Sequence, residues 1–270
     1  MTQPGGTYET LRLAREGPVV RVTLARPAVR NAFDDVLIAE LTRVFLSFVN
    51  DAEVRVVVLA GEGSSFCAGA DVEWMRKAGG YSRAENEADA EKMARMFRAI
   101  DACPRPVIAL AHGAAIGGGV GLVAAADIAL AAEGTVFALA EVKLGILPSV
   151  ISPYVLRAIG ARQARHLFLT GDRFDAREAR RIGLVHEVVA PADLEAACQK
   201  KIASLLTSGP EAVGVAKRLI EEVAGKAPED AMPLTVRTIA ERRASDEAKE
   251  GLSAFLEKRR PAWVRKKPES

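Results

Sequence analysis

The hydrophobic positions change period several times along the chain, and each change predicts an element. Residues 8–15 and 19–24 are short β-rich runs split by Glu16-Gly17-Pro18, which predicts an opening hairpin. Arg26-Pro27 ends it. From Asn31-Ala32-Phe33-Asp34 the spacing becomes helical, with Val36, Leu37, Leu41, Val44, Phe45 and Phe48 on one face up to about Asn50. Residues 54–60, VRVVVLA, are apolar except for Arg55, as expected of a strand covered on both faces. Gly61-Glu62-Gly63 stops that strand, and small residues fill a loop over 64–71. Helical spacing resumes at Asp71 with Trp74 and Met75, breaks at Gly79-Gly80, and returns over 83–102 through Met93, Met96, Phe97 and Ile100.

The longest apolar stretch lies within 105–141. Residues 107–111 predict a buried strand, Gly117-Gly118-Gly119 a loop, 120–126 a close-packed Ala-rich helix, and 128–132 and 136–140 two short strands. Strand, loop and helix thus occur twice, after Ala60 and after Ala111, which predicts an α/β core whose functional loops leave strand ends. Beyond Pro148 the pattern is mostly helical, over 159–170, 175–182, 191–206, 211–224, 235–244 and 246–258, with one last strand within 183–189. Spacing alone marks no linker and no internal repeat.

A chain of 270 residues, 49% of them hydrophobic, builds one large domain or one domain with a helical appendage. A net charge of +2 does not mark a polyanion binder. Cys67, Cys103 and Cys198 form no CxxC, the pattern of reduced thiols in a cytoplasmic protein without structural zinc. The opening MTQPGGTYE lacks the basic and apolar regions of a secretory signal. Residues 107–126 are long enough to span a bilayer, but their glycines, the following Asp127 and the lack of basic flank bias favour buried strand, turn and helix. No membrane partner is expected.

A helix entered through glycines presents free N–H groups and a positive dipole end to something negative. No Lys-Ser/Thr follows these glycines, so a P-loop is excluded. Gly119-Val120-Gly121-Leu122-Val123-Ala124 fits GxGxxA with Glu141 downstream, yet seven residues separate Gly119 from the strand, against a dinucleotide turn. Paired with Phe66-Cys67-Ala68-Gly69-Ala70-Asp71, the cluster forms two small-residue loops, each able to aim one N–H at one oxygen as an oxyanion hole. Two ordinary tight turns are the plain alternative.

Further motifs repeat one order along nearly the whole chain: Arg26-Pro27 with Asn31-Ala32, FCAGAD at 66–71, HGAAIGGG at 112–119, AEVKLGILP at 140–148, TGDRFDAREARRIGLVHEVV at 170–189 and GLSAFLEKRRPAW at 251–263. Together they resemble the enoyl-CoA hydratase/isomerase, or crotonase, family, closest in look to its bacterial methylglutaconyl-CoA hydratase-like members. The resemblance implies a crotonase-like α/β spiral of ββα units over residues 1–190, holding the CoA and acyl site. It implies a C-terminal helical region, 191–270, that assembles a homotrimer or homohexamer. An acyl-CoA thioester is the implied ligand, with no metal and no cofactor beyond the coenzyme A of the substrate itself. Its thioester oxygen is then held by the N–H groups of Ala68 and Gly118. Substrate contacts are implied at Arg30, Ala70, Asp71, Val72, Gly121 and Ser149, while Phe255 and Lys258 reach the CoA of a neighbouring subunit.

Hydratases of this family usually carry one glutamate three residues after the middle glycine of GGG and a second before LG-x-x-P. Glu141 supplies the second, whereas Gly121 stands at the first. Ser149-Val150-Ile151-Ser152-Pro153 also replaces the family's usual glycine-rich run. Without the resemblance, Glu141 reads as an exposed strand-end carboxylate; with it, Glu141 is the general base that activates water. Proton return to Cα then falls to Glu141 or to a water held by Ser149. One anion rather than two repels an acidic acyl group less, which points to a branched or carboxylated short acyl chain such as 3-methylglutaconyl-CoA. Single-glutamate members include double-bond isomerases, so a Δ3-Δ2-enoyl-CoA isomerase is the alternative, and a non-catalytic CoA- or RNA-binding protein a third.

Plainer roles suit the remaining candidates. Asp71 reads as a helix cap and loop brace, and His112 as a loop hydrogen bonder. His166 and His186 lack metal spacing. Trp74, Met75 and Met96 read as core or acyl-pocket wall, and Cys67 as packed and inert. The basic tail KRRPAWVRKK around one Trp reads as a solvated terminus rather than a nucleic-acid site.

Overall fold

The computed structural model describes residues 7–264. The first six residues and the end of the basic tail, 265–270, lie outside them. Two apolar runs form an antiparallel hairpin, β1 (Leu11–Glu16) and β2 (Val19–Leu24). Parallel β3 (Val56–Gly61), β4 (Val107–Ala111), β6 (Ile128–Ala132) and β9 (Glu187–Val189) extend it into a six-stranded sheet of order β1-β2-β3-β4-β6-β9. Alternation along β3 and β4 sends side chains to opposite faces. Val57, Leu59, Ala109 and Ala111 enter the larger core, and Val56, Val58, Ile108 and Leu110 a smaller one. The larger is covered by α1 (Asp35–Ser47), α3 (Arg83–Asp101) and α4 (Gly118–Ala125), the smaller by Ala197, Cys198 and Ile202 of α7 (Leu194–Thr207).

A second sheet runs β5 (Ala114–Ile116), β7 (Val136–Ala138), β8 (Arg173–Asp175). Each parallel turn of chain therefore supplies one strand to the large sheet and one short strand to the small: β4 then β5, β6 then β7. The predicted α/β spiral of ββα units is the observed architecture. Residues 114–116, which the apolar spacing marks as no element, are a strand because their partners are remote: β7 pairs with them in parallel, Cys67 N–H donates to the Ala114 carbonyl at 3.0 Å and Ile116 N–H to the Cys67 carbonyl at 2.9 Å. Local apolar period cannot announce such pairing.

The helices after residue 148 differ from expectation mainly at their ends. The helix expected over 159–170 begins at Ser152 and runs as α5 (Ser152–Thr170) through a break at Gly160, whose φ of 71° interrupts the helical backbone. After α2 (Val72–Ala78), α6 (Ala176–Arg181) and α8 (Pro210–Val223), α9 (Pro228–Ala244) starts seven residues earlier than its spacing predicts, with Pro228 at its first turn. The last helix, α10 (Asp246–Leu256), packs chiefly on α9. Lys217 on α8 donates to Asp127 at 2.7 Å, and that carboxylate also accepts the Val107 N–H at 2.7 Å, tying α8 to the start of β4.

Candidate active site

The site grows from the ends of β3 and β4. Asn31 is fully buried, and its side-chain amide donates to the carbonyls of Glu62 and Ser65, both at 2.8 Å, pinning the loop after β3. Residues 30–33 then run alongside 68–71: Phe33 N–H donates to the Gly69 carbonyl at 2.7 Å and Asp71 N–H to the Phe33 carbonyl at 2.8 Å. Arg26 clamps this pairing through Asp34 at 2.8 Å and Asp71 at 3.1 Å. Asp34 caps α1 and Asp71 caps α2, so one guanidinium fixes two helix starts. Arg26→Gln leaves both mostly buried carboxylates without their cation and is expected to cost about 2 kcal/mol or more, read from a urea unfolding midpoint.

On its other side the 66–68 segment bridges to β5 between Cys67 and Ala115. A Cβ on Gly119 would lie 2.5 Å from the Cys67 carbonyl oxygen, so the Cys67–Ala68 peptide abuts the glycine loop. Gly117 has φ 52° and ψ −114° and caps α4, which begins at Gly118 rather than at Val120. As the first helical residue Gly118 has no acceptor inside the helix, and none of the described residues takes its N–H. The Ala68 N–H does have an acceptor, the Arg30 carbonyl at 2.9 Å. A ligand oxygen reaches it by sharing that bond or by turning the Arg30 peptide. Arg30 and Asn31 hold φ of 52° and 56°, a region non-glycine residues seldom occupy.

Glu141 starts a 3-10 turn, Glu141–Leu144, just after β7. Its Oε1 would lie 2.9 Å from a Cβ on Gly117, so the carboxylate rests over the loop that presents Gly118. Its Oε2 is buried without a hydrogen-bond partner. Desolvation pushes its pKa above the usual carboxylate value, opposed only by a bond from its own backbone N–H. Phe33 covers Gly118, its Cε2 lying 2.6 Å from where a Cβ would stand. The space beside Gly121 is closed by hydrocarbon: a Cβ there would overlap Ile151 Cγ2 and lie 2.9 Å from Phe97 Cε1.

The folded chain therefore brings the Cys67–Ala68 peptide and Glu141 to the glycine loop that opens α4 at Gly118, with Gly121 about one turn further along that helix. Ala70 is half-buried beside them, while Arg30, Val72 and Ser149 are exposed. Asp71 is buried and committed to the Glu73 N–H and Arg26, the cap and brace its position predicts. Phe255, 80% exposed, and Lys258 stand on or just after α10, away in the chain from the glycine loop. Sequence reasoning missed Arg26 as a double clamp, Phe33 as a wall and Ile151 as a plug. Two capping aspartates and one arginine hinted at the first, but no local signal marks the others.

The remaining polar candidates take ordinary roles. His112 Nε2 pairs with the Gly63 carbonyl at 3.1 Å, and His186 Nδ1 accepts the Ala129 N–H at 3.0 Å. Burial drives the Cys67 thiol up to about 12, so it is no nucleophile. Among the described residues no acid, His or Cys cluster forms a metal site, and no helix is long and apolar enough to cross a membrane.

The sequence profile of the family described as enoyl-CoA hydratase/isomerase matches residues 14–266. The chain belongs to the enoyl-CoA hydratase/isomerase family. Among its relatives, a crotonyl-CoA hydratase of Syntrophomonas wolfei is 33% identical over 261 residues, 96% of this chain and 99% of that one. A short-chain-enoyl-CoA hydratase of Clostridium acetobutylicum is 32% identical over 254 residues, covering 92% and 95%. The crystal structure of an enoyl-CoA hydratase from Shewanella pealeana superposes with a TM-score of 0.92 at 41% identity, covering 94% of this chain and 96% of that one. For this family member Ala68, Gly118 and Glu141 lie in the motifs that carried the resemblance, and Gly121 two residues beyond one of them.

Proposed function

We propose that this family member hydrates a short 2-enoyl-CoA thioester to its 3-hydroxyacyl-CoA, with Glu141 as the general base at the reacting centre. The observation that carries this reading is a half-buried carboxylate, one oxygen of which has no hydrogen-bond partner, resting over the glycine loop that presents the free N-terminal N–H of α4. Glu141 takes a proton from water as the water oxygen bonds to Cβ, and the π electrons move to the thioester oxygen. Gly118 N–H, joined by Ala68 N–H once the Arg30 carbonyl yields, stabilises that enolate; each such donor is worth about 10²–10³ in rate. Glu141 then returns the proton to Cα, regenerating the carboxylate. The sum is addition of one water. Ser149, exposed beside the turn, is the alternative anchor for a proton-relaying water.

We extend the reading to a branched or carboxylated acyl chain of the 3-methylglutaconyl type. Support comes from the hydrocarbon of Ile151 and Phe97 at the Gly121 position, which leaves one anion to repel an acidic acyl group rather than two. Subunit assembly is assigned to residues 191–270, where Met232, Val236 and Ile239 on α9 and Leu252, Phe255 and Leu256 on α10 expose apolar surface. In such a trimer or hexamer Phe255 and Lys258 contact a neighbour's CoA, and Arg30 and Val72 line the chain's own site.

The plugged Gly121 position also favours a second reading, an isomerase in which Glu141 alone moves a proton from C2 to C4 of a 3-enoyl thioester. Turnover of crotonyl-CoA and 3-methylglutaconyl-CoA in ¹⁸O-labelled water separates the two. Label in a 3-hydroxyacyl product is the expected result. Deuterium exchange of a 3-enoyl thioester without oxygen gain would assign the isomerase instead.

A further inference from the structure

Residues 170–189 carry a motif that the proposed chemistry does not use, and its second residue reaches the base. α5 ends at Gly171, whose φ of 61° is left-handed and whose N–H donates to the Leu167 carbonyl at 2.9 Å. Gly171 is buried, and what lies on it is the turn that carries Glu141. A Cβ at 171 would stand 3.3 Å from Ala140 Cα, 3.0 Å from Lys143 Cε and 3.3 Å from Lys143 Cγ. Ala140 directly precedes Glu141, and Lys143 belongs to the same 3-10 turn. Glycine therefore serves twice here: it takes the left-handed conformation without strain, and it leaves the room in which the Glu141 turn is seated.

The chain on either side of this contact is fixed at short range. Ala138 of β7 pairs with Arg173 of β8, and its carbonyl accepts the Gly117 N–H at 2.8 Å. Two residues later Ala140 meets Gly171, and the next side chain is the carboxylate that rests over Gly117. Within the turn, Lys143 N–H donates to the Ala140 carbonyl at 3.0 Å and Ile146 N–H to the Glu141 carbonyl at 3.2 Å. From Lys143 to Leu147 the backbone runs exposed, so this chain does not cover the outer side of the turn. Gly171 supports its inner side. A side chain at 171 would meet two kinds of neighbour: the Lys143 stem can bend aside, whereas Ala140 Cα is backbone and moves only with the turn.

We infer that Gly171 is a positioning residue for Glu141: its bare α-carbon, with the Lys143 stem lying on it, sets the carboxylate over the glycine loop. What that carboxylate then does rests on the hydratase reading; where it is held rests on the contacts at Gly171. Gly171 itself touches no substrate and moves no proton. A catalytic group has to stay within about 0.5 Å of its working place, and rate falls steeply when it is shifted.

Kinetics test this on whichever of crotonyl-CoA and 3-methylglutaconyl-CoA the wild type hydrates faster. Gly171→Ala is expected to lower kcat about tenfold with KM within about threefold of wild type. Gly160→Ala is the control, because Gly160 lies in the same helix with φ of 71° and none of the described residues comes within 4 Å of a Cβ there. It carries similar backbone strain, so both variants should melt below wild type, yet Gly160→Ala should keep kcat within about threefold. Lys143→Met retains an unbranched stem without the charge and should match wild type, while Lys143→Ala should lose about 3- to 10-fold in kcat. An unchanged kcat in Gly171→Ala, or an equal fall in Gly160→Ala, overturns the inference. Should Gly171→Ala not fold, the lysine pair decides, and equal rates in Lys143→Met and Lys143→Ala count against it.

A second measurement needs no turnover. Burial holds the Glu141 carboxyl above the ordinary carboxylate range, and no charged side chain contributes. Glutamate carboxyls are labelled with ¹³C, and the Glu141 resonance is assigned by its loss in Glu141→Gln. Wild type and Gly160→Ala are expected to titrate at the raised value and Gly171→Ala nearer the ordinary one, because the shifted carboxylate meets water. The same titration in Gly171→Ala as in wild type sinks the inference. A wild type that hydrates neither thioester, with the titration difference intact, would instead sink the hydratase reading alone.

Discussion

Glu141→Gln is expected to lower kcat by about 10²–10⁴-fold, the usual worth of a positioned general acid–base. The substitution keeps the shape over Gly117 and removes the carboxylate there, so binding of a saturated acyl-CoA should persist while turnover is lost. The same change carries a stability signature. Burial raises the folded-state pKa of Glu141 above its unfolded value. The contribution of such a group is fully present below the unfolded pKa and is lost as pH rises through the folded one. At pH 8 the wild type therefore holds a desolvated anion that Gln lacks, and Glu141→Gln should melt at a higher temperature; at pH 4 the difference should shrink. Wild-type kcat/KM should fall on acidification through that raised pKa, at a pH above the ordinary carboxylate range, because the base must be ionised to take a proton from water. Unchanged turnover in Glu141→Gln would remove Glu141 from the mechanism.

Gly121→Glu, which writes the missing family glutamate back into the chain, is expected to destabilise rather than improve the enzyme. Replacing glycine inside α4 gains about 1 kcal/mol of helix propensity at most. Against it stand the overlap of any Cβ with Ile151 and its close approach to Phe97. Overpacking of this kind costs about 1–3 kcal/mol, and burying a carboxyl among the hydrocarbon of Ile151 and Phe97 adds a desolvation penalty. The packing term wins, and thermal or urea unfolding should report a net loss of about 3 kcal/mol or more. Adding Ile151→Ala should recover part of that loss, because the two positions share one volume and couple. If Gly121→Glu alone is as stable as wild type, Ile151 is not the plug.

Much of the fold was legible because its determinants are local. The apolar run over β3, the helical spacing of α1 and α3, and aspartates placed to cap α1 and α2 each announce an element through period or hydrogen-bond chemistry within a few residues. Glu141 and the glycine cluster were legible as a candidate pair, and the ordered motifs named their family. Element ends were less so: β5 and β8 are three residues each, too short for a period, and exist only because extended neighbours supply their partners.

What the sequence alone determined is the α/β framework, the small-residue loops at the ends of β3 and β4, the single glutamate and the glycine in place of the other. Only the tertiary structure decided that Ile151 and Phe97 occupy the room Gly121 leaves, that the Arg30 carbonyl holds the Ala68 N–H, that Arg26 joins the caps of two helices, and that the Trp74 indole is buried without an acceptor. The first set depends on the order and spacing of side chains along the chain. The second depends on which surfaces meet when remote segments pack, and in a close-packed interior a single methyl group from thirty residues away decides what a site has room to hold.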